Sequence, residues 1–296
     1  MRPDLIRATE LLRKTDPESV SKALHLLQGT VYAFSMKVCG HPQDAEDTMQ
    51  DVLVGSLPHL AKITDPKALA VWLYTVTRNR CWRSRRRSVH GPRQTLSLDE
   101  LMPNGGELKE LLASSQIDPE RQLIAQEQHD LLHTAILSVP PEYRMVLVLH
   151  DLEDLDTEQV AQVLDLKPAT VRVRLHRARL FVRKAVAESI KKAAVPEPLE
   201  QPGRVPRSKG AKGRPAQCRE IFANLSEYLD DRLSPANCEQ MRSHIEACPA
   251  CVAFIGDLRQ AIDRCKTFDV GCNTNLAPKL RSLLTKEYLR LVSAPA

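Results

Sequence analysis

Apolar residues recur at steps of three and four through three long stretches of the chain, the spacing that places them on one face of an α-helix. Between these stretches, prolines, glycines and charged residues break the pattern, as is typical of connecting segments. We therefore predict an all-α protein with helical modules at residues 1–90, 120–194 and 218–296. The predicted linkers are residues 91–119 and 195–217, the second of them proline-rich and basic.

Composition supports this class and narrows the range of functions. The 296 residues are 43% hydrophobic but only 4% aromatic, which suits small helical cores better than a β-sandwich or barrel. The sequence contains no glycine-rich nucleotide-binding motif and no visible pairing of a nucleophile with a base, so we expect no enzyme. It also lacks an export signal and an apolar run of membrane-spanning length, so we expect a cytoplasmic protein whose eight cysteines stay reduced.

The sharpest local pattern lies at residues 157–184. A short helix with Thr157 as its predicted N-cap is followed by a turn at residues 165–167, and Pro168 begins a second helix. The exposed side of the second helix carries cations and no acid, namely Arg172, Arg174, Arg177, Arg179, Arg183 and Lys184. Such a pair of helices indicates a helix-turn-helix that binds the DNA major groove. The alternative is a solvated cationic helix, which is less favourable because like charges at helical spacing repel.

A second basic surface ends the predicted helix at residues 68–87, downstream of Trp72 and Tyr74. It consists of six arginines: Arg78, Arg80, Arg83, Arg85, Arg86 and Arg87. Arginines near aromatic rings suit melted nucleic acid, because bases stack on the rings while cations hold the backbone. As alternatives, some of these arginines only favour the helix C-terminus, and Trp72 is equally compatible with core packing.

The C-terminal module contains a potential metal site. His244, Cys248 and Cys251 form an H-x3-C-x2-C pattern, in which the first two residues share one helix face and a short turn adds the third. Tetrahedral Zn²⁺ needs a fourth ligand, which Cys218 or Cys238 could supply. We therefore expect one bound zinc ion, and the alternative is a chance arrangement of three unrelated residues.

Three segments in order resemble the extracytoplasmic-function type of bacterial RNA polymerase sigma factors. Residues 44–51 (DAEDTMQD) look like the polymerase-binding helix of that family, and residues 70–79 (AVWLYTVTRN) look like its promoter-melting helix. Residues 139–144 (VPPEYR), 158–161 (EQVA) and 169–179 (ATVRVRLHRAR) resemble its C-terminal helix-turn-helix. The resemblance implies a transcription initiation factor that binds core RNA polymerase, through the β′ clamp and the β flap, and promoter DNA.

The resemblance also implies roles for individual residues. Contact with the β′ clamp falls to Asp44, Glu46, Asp47, Gln50 and Asp51. Recognition and melting of the minus-ten element fall to Thr64, Asp65, Lys67, Trp72, Arg78 and Asn79. Reading of the minus-thirty-five element falls to Arg172, Val173, Arg174, His176 and Arg177. Val173 departs from the small polar residue that is commoner at its position in the family.

The C-terminal module resembles the zinc-binding anti-sigma domain, because residues 225–234 (LSEYLDDRLS) precede His244 in the manner of that family. The resemblance favours Cys218 as the fourth ligand. A flexible linker would hold this domain at a millimolar effective concentration near the sigma modules. The amphipathic segment at residues 275–292 could dock onto one of those modules, or it packs within the tail.

Three further cysteines have no role in the expected zinc site, namely Cys238, Cys265 and Cys272. They are either small buried hydrophobes or sensing thiols that form a second metal site or a redox pair. The whole pattern predicts an initiation factor whose tail responds to metal or thiol state. The alternatives are a DNA-binding repressor with a metal-sensing tail, and a sigma factor whose tail is a constitutive zinc-stabilised interaction module.

Overall fold

The computed structural model describes residues 2–85, 101–102, 125–194, 225–230, 232–272 and 275–293. These residues form helices and no β-strand, which confirms the predicted all-α class. The helices are α1 (Pro3–Leu12), α2 (Pro17–Cys39), α3 (Pro42–Leu60), α4 (Pro66–Arg85), α5 (Ala125–Ser138), α6 (Pro141–Leu147), α7 (Thr157–Leu164), α8 (Pro168–Ala194), α9 (Leu225–Leu229), α10 (Pro235–Ala247), α11 (Pro249–Thr267) and α12 (Pro278–Ser293). A π-helical turn, Val148–Leu152, follows α6.

Proline at the first position begins most of these helices, because its fixed φ suits a helix start and its missing N–H is not needed there. Side chains cap some of the same starts. Asp16 accepts a 2.8 Å hydrogen bond from the Ser19 amide in front of α2, and Ser234 accepts one of 3.4 Å from the Asn237 amide in front of α10. Gly40 ends α2 at a φ of 74°, a left-handed conformation that glycine adopts without strain.

The start of α7 differs from the prediction in one residue. Asp156, rather than Thr157, is the N-cap: its carboxylate accepts a 2.8 Å hydrogen bond from the Gln159 amide. The Gln159 side chain in turn accepts a 3.0 Å bond from the Asp156 amide. This reciprocal capping box satisfies two amides at once, so it is preferred over a single threonine hydroxyl.

One of the two compact units of the chain gathers Met1–Gly91, Arg144–Val171 and Phe268–Ala296. Its central helix is α2, which contacts α1, α3, α4 and α12, while α4 also contacts α7. Its core is aliphatic and aromatic, and includes Leu5, Leu24, Leu27, Phe34, Met49, Leu53, Leu73, Tyr74, Val146 and Leu149. The first helix of the helix-turn-helix and the last helix of the chain therefore share a unit with the N-terminal helices.

The other unit gathers Pro92–Tyr143 and Arg172–Thr267. Here α10 packs on α11, and the rings of Tyr143 and Phe181 stack with their centroids 6.0 Å apart. The buried side chains of the unit include Leu180, Leu225, Met241, Phe254, Leu258 and Cys265. Most of α8 thus shares a unit with the C-terminal helices α9, α10 and α11. Among the described helices of the whole chain, none is long and apolar enough to cross a membrane.

Candidate functional site

A tight turn joins α7 to α8. Asp165 ends α7 in the left-handed conformation, with φ 54° and ψ 52°, which aspartate tolerates better than most residues. The Leu166 amide then donates a 3.0 Å bond to the Ala161 carbonyl, and the Lys167 carbonyl accepts a 3.1 Å bond from the Val171 amide in the first turn of α8. The short α7, this turn and the first part of α8 together form a helix-turn-helix.

One stripe of α8 carries four basic residues at helical spacing: Arg172, His176, Arg179 and Arg183. The strongest contact of the stripe is made by Arg179, whose two terminal nitrogens each lie 2.9 Å from a carboxylate oxygen of Asp230. The Arg179 side chain is fully buried and that of Arg183 nearly so, so the prediction that both lie on the exposed side of the helix is wrong: each is covered by an acidic partner. At the N-terminal end of the stripe, Arg172 Nε lies 3.3 Å from Glu227 Oε1, and both side chains are partly exposed.

Arg183 occupies the C-terminal end of the stripe. Its Nε donates a 2.6 Å hydrogen bond to Asp257 of α11, and its guanidinium lies 4.6 Å from the centroid of the Phe254 ring. An arginine on an aromatic face gains a cation–π attraction in addition to the ion pair. Three carboxylates of the C-terminal segment therefore pair with three arginines of this stripe.

His176 is the neutral member of the stripe. Its Nδ1 lies 2.9 Å from the Ser226 hydroxyl, and its side chain is buried. Burial lowers the pKa of His176 to about 4, and the positive charges of Arg179 and Arg177 contribute to the same shift. At neutral pH this imidazole is uncharged, so it fits a buried position that a cation would not tolerate.

The remaining residues predicted to read the minus-thirty-five element have other surroundings. Val173 is 57% exposed, the most exposed large apolar residue of α8 among the described residues. Arg177 donates a 3.1 Å hydrogen bond to the Tyr143 hydroxyl, and its guanidinium lies 5.9 Å from the centre of that ring. Arg174 is partly exposed. The covered stripe and the exposed Val173 thus lie on different sides of α8.

The residues predicted to contact the minus-ten element cluster around the start of α4. Asp65 caps this helix by accepting a 2.9 Å bond from the Ala68 amide. The Thr64 carbonyl accepts a 2.8 Å bond from Arg13, while Lys67 is exposed. The structure thus presents this loop at the surface with its backbone held by α1.

Further along α4, Trp72 is partly exposed and its ring centroid lies 4.8 Å from that of His59. Arg78 donates bonds of 3.1 and 2.7 Å to the side-chain oxygen of the exposed Asn79. A third nitrogen of Arg78 donates a 2.6 Å bond to the Val163 carbonyl of α7. The predicted minus-ten helix is therefore in direct contact with the first helix of the helix-turn-helix.

The predicted polymerase-binding face lies on α3. Asp44, Asp47, Gln50 and Asp51 are exposed, and Glu46 is partly exposed. The opposite face of the same helix is buried through Ala45, Thr48, Met49, Val52 and Leu53. Asp51 pairs with Arg80 of α4. The buried face fixes α3 in the core, so its exposed acidic face is held in a defined orientation, which suits a charged docking surface.

Two of the expected zinc ligands lie at the junction of α10 and α11. Cys251 is buried and Cys248 is partly buried, and the Cys251 amide donates a 2.9 Å bond to the Cys248 carbonyl. This turn places two thiols one turn apart, which fits the C-x2-C half of a zinc site. Cys218 and the side chain of His244 lie outside the described residues. Within the described part, no three potential ligands form a group.

The three other cysteines have separate environments. Cys238 is partly buried, with its thiol 3.7 Å from the Leu233 carbonyl. Cys265 is buried on α11. Cys272 is partly buried and accepts a long 3.8 Å contact from the Gln28 side-chain amide of α2. Their assignment as sensing thiols stays a prediction.

Sequence reasoning missed a buried charge network around Glu153. Its carboxylate contacts Lys37 at 2.9 Å and the Tyr74 hydroxyl at 2.7 Å. Burial and the negative charge of Glu153 raise the pKa of Tyr74, so the phenol remains a hydrogen-bond donor. Lys37 interrupts an apolar stretch of α2 and so signals a buried charge, whereas Glu153 lies among other acids and carries no such signal in the sequence.

Sequence reasoning also missed the acids that pair with α8, namely Glu227, Asp230 and Asp257. A helix that carries one sign of charge requires a partner of the opposite sign wherever it is buried. The sequence therefore indicated that a partner was needed, but not which acids provide it.

Three family models match the chain. They are "Sigma-70 region 2" at residues 24–90, "Sigma-70, region 4" at residues 129–182, and "Putative zinc-finger" at residues 218–251. The first two cover α4 and the helix-turn-helix, and the third covers the two cysteines at the junction of α10 and α11.

Known bacterial proteins are similar to half or more of the chain. The "ECF RNA polymerase sigma factor SigW" of Bacillus subtilis is 21% identical over 177 residues, which are 60% of this chain and 94% of that protein. The "RNA polymerase sigma factor YlaC" of the same organism is 28% identical over 149 residues, 50% of this chain and 81% of that protein. The "ECF RNA polymerase sigma-E factor" of Escherichia coli (strain K12) is 27% identical over 155 residues, 50% of this chain and 77% of that protein.

Proposed function

This chain belongs to the sigma-70 family, and we propose that its C-terminal domain holds it inactive. It is an ECF-type RNA polymerase sigma factor, and the C-terminal domain is a fused zinc-finger domain of the anti-sigma type. In the active form, the factor binds core RNA polymerase and directs it to promoters. In the inactive form, the C-terminal domain covers part of the helix that reads the minus-thirty-five element. The module bounds that we propose are 1–90, 120–194 and 218–296.

The observation that carries this proposal is the occupied stripe on α8. Arg179 and Arg183 pair with Asp230 and Asp257 at hydrogen-bonding distance, and His176 is buried against Ser226. A recognition helix needs its cations for phosphates and its polar side chains for base edges. Side chains that are already paired and buried cannot make those contacts, so the domain and the promoter compete for the same helix.

The exposed acidic face of α3 supports a second part of the proposal. Asp47, Gln50 and Asp51 remain at the surface while the stripe on α8 is covered. We propose that this exposed acidic face of α3 binds the β′ clamp. Val173 is the exposed apolar residue that could contact a thymine methyl group once the helix enters the major groove.

We propose that the cysteines of the C-terminal domain sense the signal that releases α8. Cys248 and Cys251, together with Cys218 and His244, would hold one zinc ion, which when bound fixes the chain segments that carry its ligands. Cys238, Cys265 and Cys272 are the further thiols whose oxidation or metal binding would loosen the domain. Metal or thiol state is therefore the signal that we propose for release of α8.

The decisive experiment is in vitro transcription with core polymerase over a promoter library, using the full chain and D230N/D257N. The double variant weakens two ion pairs to α8 without touching any residue that binds DNA or polymerase. We expect polymerase-dependent transcripts from both chains and a several-fold higher yield from the variant. The matched control is E239Q/D263N, which removes two exposed carboxylates from the same domain and should equal the unchanged chain.

Two results would contradict the proposal in different ways. Equal yields from D230N/D257N and the unchanged chain would make the domain a constitutive interaction module. No transcript from any chain, together with persistent binding to duplex DNA, would support a repressor instead.

A further inference from the structure

Glu153 lies where three side chains of the N-terminal helices meet. Its Oε1 atom is 2.9 Å from Lys37 Nζ, and its Oε2 atom accepts a 2.7 Å hydrogen bond from Tyr74. Arg2 Nε is 3.4 Å from the same Oε2 atom. Lys37 and Glu153 are fully buried. Since Lys37 belongs to α2 and Glu153 precedes the helix-turn-helix, the network joins two modules across 116 residues of sequence.

Two further arginine contacts join the same modules. Arg78 of α4 donates a 2.6 Å hydrogen bond to the Val163 carbonyl of α7. In the opposite direction, the buried Arg144 of α6 donates a 3.0 Å bond to the Val38 carbonyl of α2. Each guanidinium satisfies a backbone oxygen of the other module, so the contact is specific in register and is not a loose apolar association.

This arrangement is incompatible with simultaneous reading of two promoter elements. The minus-ten and minus-thirty-five elements are named for positions about 25 base pairs apart, on the order of 80 Å along B-DNA. Arg78, on the helix that we assign to the minus-ten element, is in hydrogen-bonding contact with α7, the helix that leads directly into the recognition helix. The two modules must therefore separate before both elements can be bound.

Buried charge pairs respond asymmetrically to substitution. When the modules separate, Lys37, Glu153 and the Tyr74 hydroxyl exchange their mutual contacts for contacts with water. If Glu153 alone loses its charge, Lys37 is buried without its counter-charge in the closed state but is still hydrated in the open state. A single neutralisation therefore penalises the closed state alone.

From this asymmetry we infer that Glu153 is an intramolecular latch: its network with Lys37 and Tyr74 holds region 2 and the helix-turn-helix closed on each other until the factor engages a promoter. The latch is separate from the cover on α8, because its residues belong to the N-terminal helices and to the segment in front of α7. The conclusion that opening of the latch serves promoter binding rests on the proposed function. The latch itself is a property of the free chain.

The test measures the distance between the two modules in the full chain without polymerase or DNA. Fluorophores are attached through non-natural amino acids at the exposed Lys62 and Gln162, so that the native cysteines stay unmodified. We expect mostly high-transfer molecules for the unchanged chain and at least a tenfold higher ratio of open to closed molecules for E153Q. The matched control is E18Q, which removes the carboxylate of an exposed ion pair with Lys22 and should not change the ratio.

A second variant separates a latch from a purely structural role. K37M/Y74F/E153L removes the whole network and leaves neither Lys37 nor the Tyr74 hydroxyl buried without a partner, so it should be less open than E153Q but still more open than the unchanged chain. All variants are also measured in the D230N background, in which the C-terminal domain is loosened on α8. An E153Q chain that folds, as judged by circular dichroism, and keeps the unchanged ratio in both backgrounds would overturn the latch. So would a K37M/Y74F/E153L chain that keeps the unchanged ratio. Because no polymerase is present, these outcomes are independent of the transcription test.

Discussion

Arg179 and Asp230 form a two-point ion pair in which each terminal guanidinium nitrogen lies 2.9 Å from its own carboxylate oxygen. The arginine side chain is fully buried and the aspartate nearly so. Paired bonds of this kind fix orientation as well as distance, because the planar fork matches only one approach of the carboxylate. The pair therefore sets the register of α9 on the recognition helix.

Neutralising Asp230 should loosen α9 from α8. D230N keeps the shape but removes the counter-charge of a buried guanidinium, at an expected cost of about 2–3 kcal/mol for the contact. Hydrogen exchange of the Asp230 and Arg232 amides, which donate to the Ser226 and Glu227 carbonyls at 3.1 and 2.8 Å, reports this opening, and their protection should fall by roughly 30-fold or more. E239Q, which breaks an exposed pair with Arg242, should leave that protection unchanged. Equal protection in D230N and the unchanged chain would show that the pair does not hold the contact.

The helical class and the turn at residues 165–167 were predictable because their causes are local. Periodic apolar positions, prolines at helix starts and the absence of acids from residues 168–187 are all readable within a few turns of sequence. The N-cap of α7 was missed by one residue, since Asp156 and Thr157 are both good caps. Only the reciprocal bond from Gln159 decides between them.

The partners of the charged residues were not predictable, because sequence does not specify which distant acid meets which base. Arg179 and Asp230 are 51 residues apart, and Lys37 and Glu153 are 116 residues apart. Charge complementarity requires a partner for each buried ion, but the helix packing selects it. Glu153 in particular belonged to an acidic stretch that is indistinguishable in sequence from a solvated corner.

Acidification should release the C-terminal domain through His176. The pKa of this group is about 4 when it is buried against Ser226, and the ordinary value of 6.5 returns on exposure. Between pH 4 and pH 6.5 the released state therefore binds more protons than the covered state, so falling pH favours release. Above pH 6.5 His176 is mostly neutral in both states, and the dependence of release on pH fades. At pH 5.5 the covered state should lose roughly 1.4 kcal/mol, or about tenfold in the ratio of released to covered chains.

Energy transfer between dyes at the exposed Glu188 and Asn237 measures this ratio from pH 7.5 to 5.5. The charged groups that act on His176 are Arg177 and Arg179. H176N removes the titrating group, so its ratio should stay flat over the same range. A pH response of equal size in H176N would assign the effect to other histidines.

Zinc content should discriminate between the two candidates for the fourth ligand. We expect about one zinc ion per full chain by mass spectrometry of the purified protein. C251S should lose most of it, because its thiol lies at the buried junction of α10 and α11. C218S should lose it as well, whereas C238S should retain it. Loss in C238S with retention in C218S would move the fourth ligand to Cys238.

Docking of α12 on the N-terminal helices should depend on one buried hydroxyl. The Tyr288 hydroxyl donates a 3.3 Å hydrogen bond to the Leu12 carbonyl, and burial raises the pKa of this tyrosine, so the donor is kept at all ordinary pH values. Y288F leaves the carbonyl without this bond and should lower the opening free energy of α12 by about 1 kcal/mol. Hydrogen exchange of the amides of Pro278–Ser293 should therefore accelerate about fivefold.

The matched control lies on the same helix. E287Q weakens the exposed pair with Arg290, whose nitrogen lies 2.5 Å from the carboxylate, and should change exchange by less than about twofold. Q28A should act like Y288F, because the side-chain oxygen of the buried Gln28 accepts a 3.4 Å bond from the Leu276 amide just before α12. If Y288F and Q28A both exchange like the unchanged chain, α12 is held by its apolar residues alone, of which Leu284 is buried.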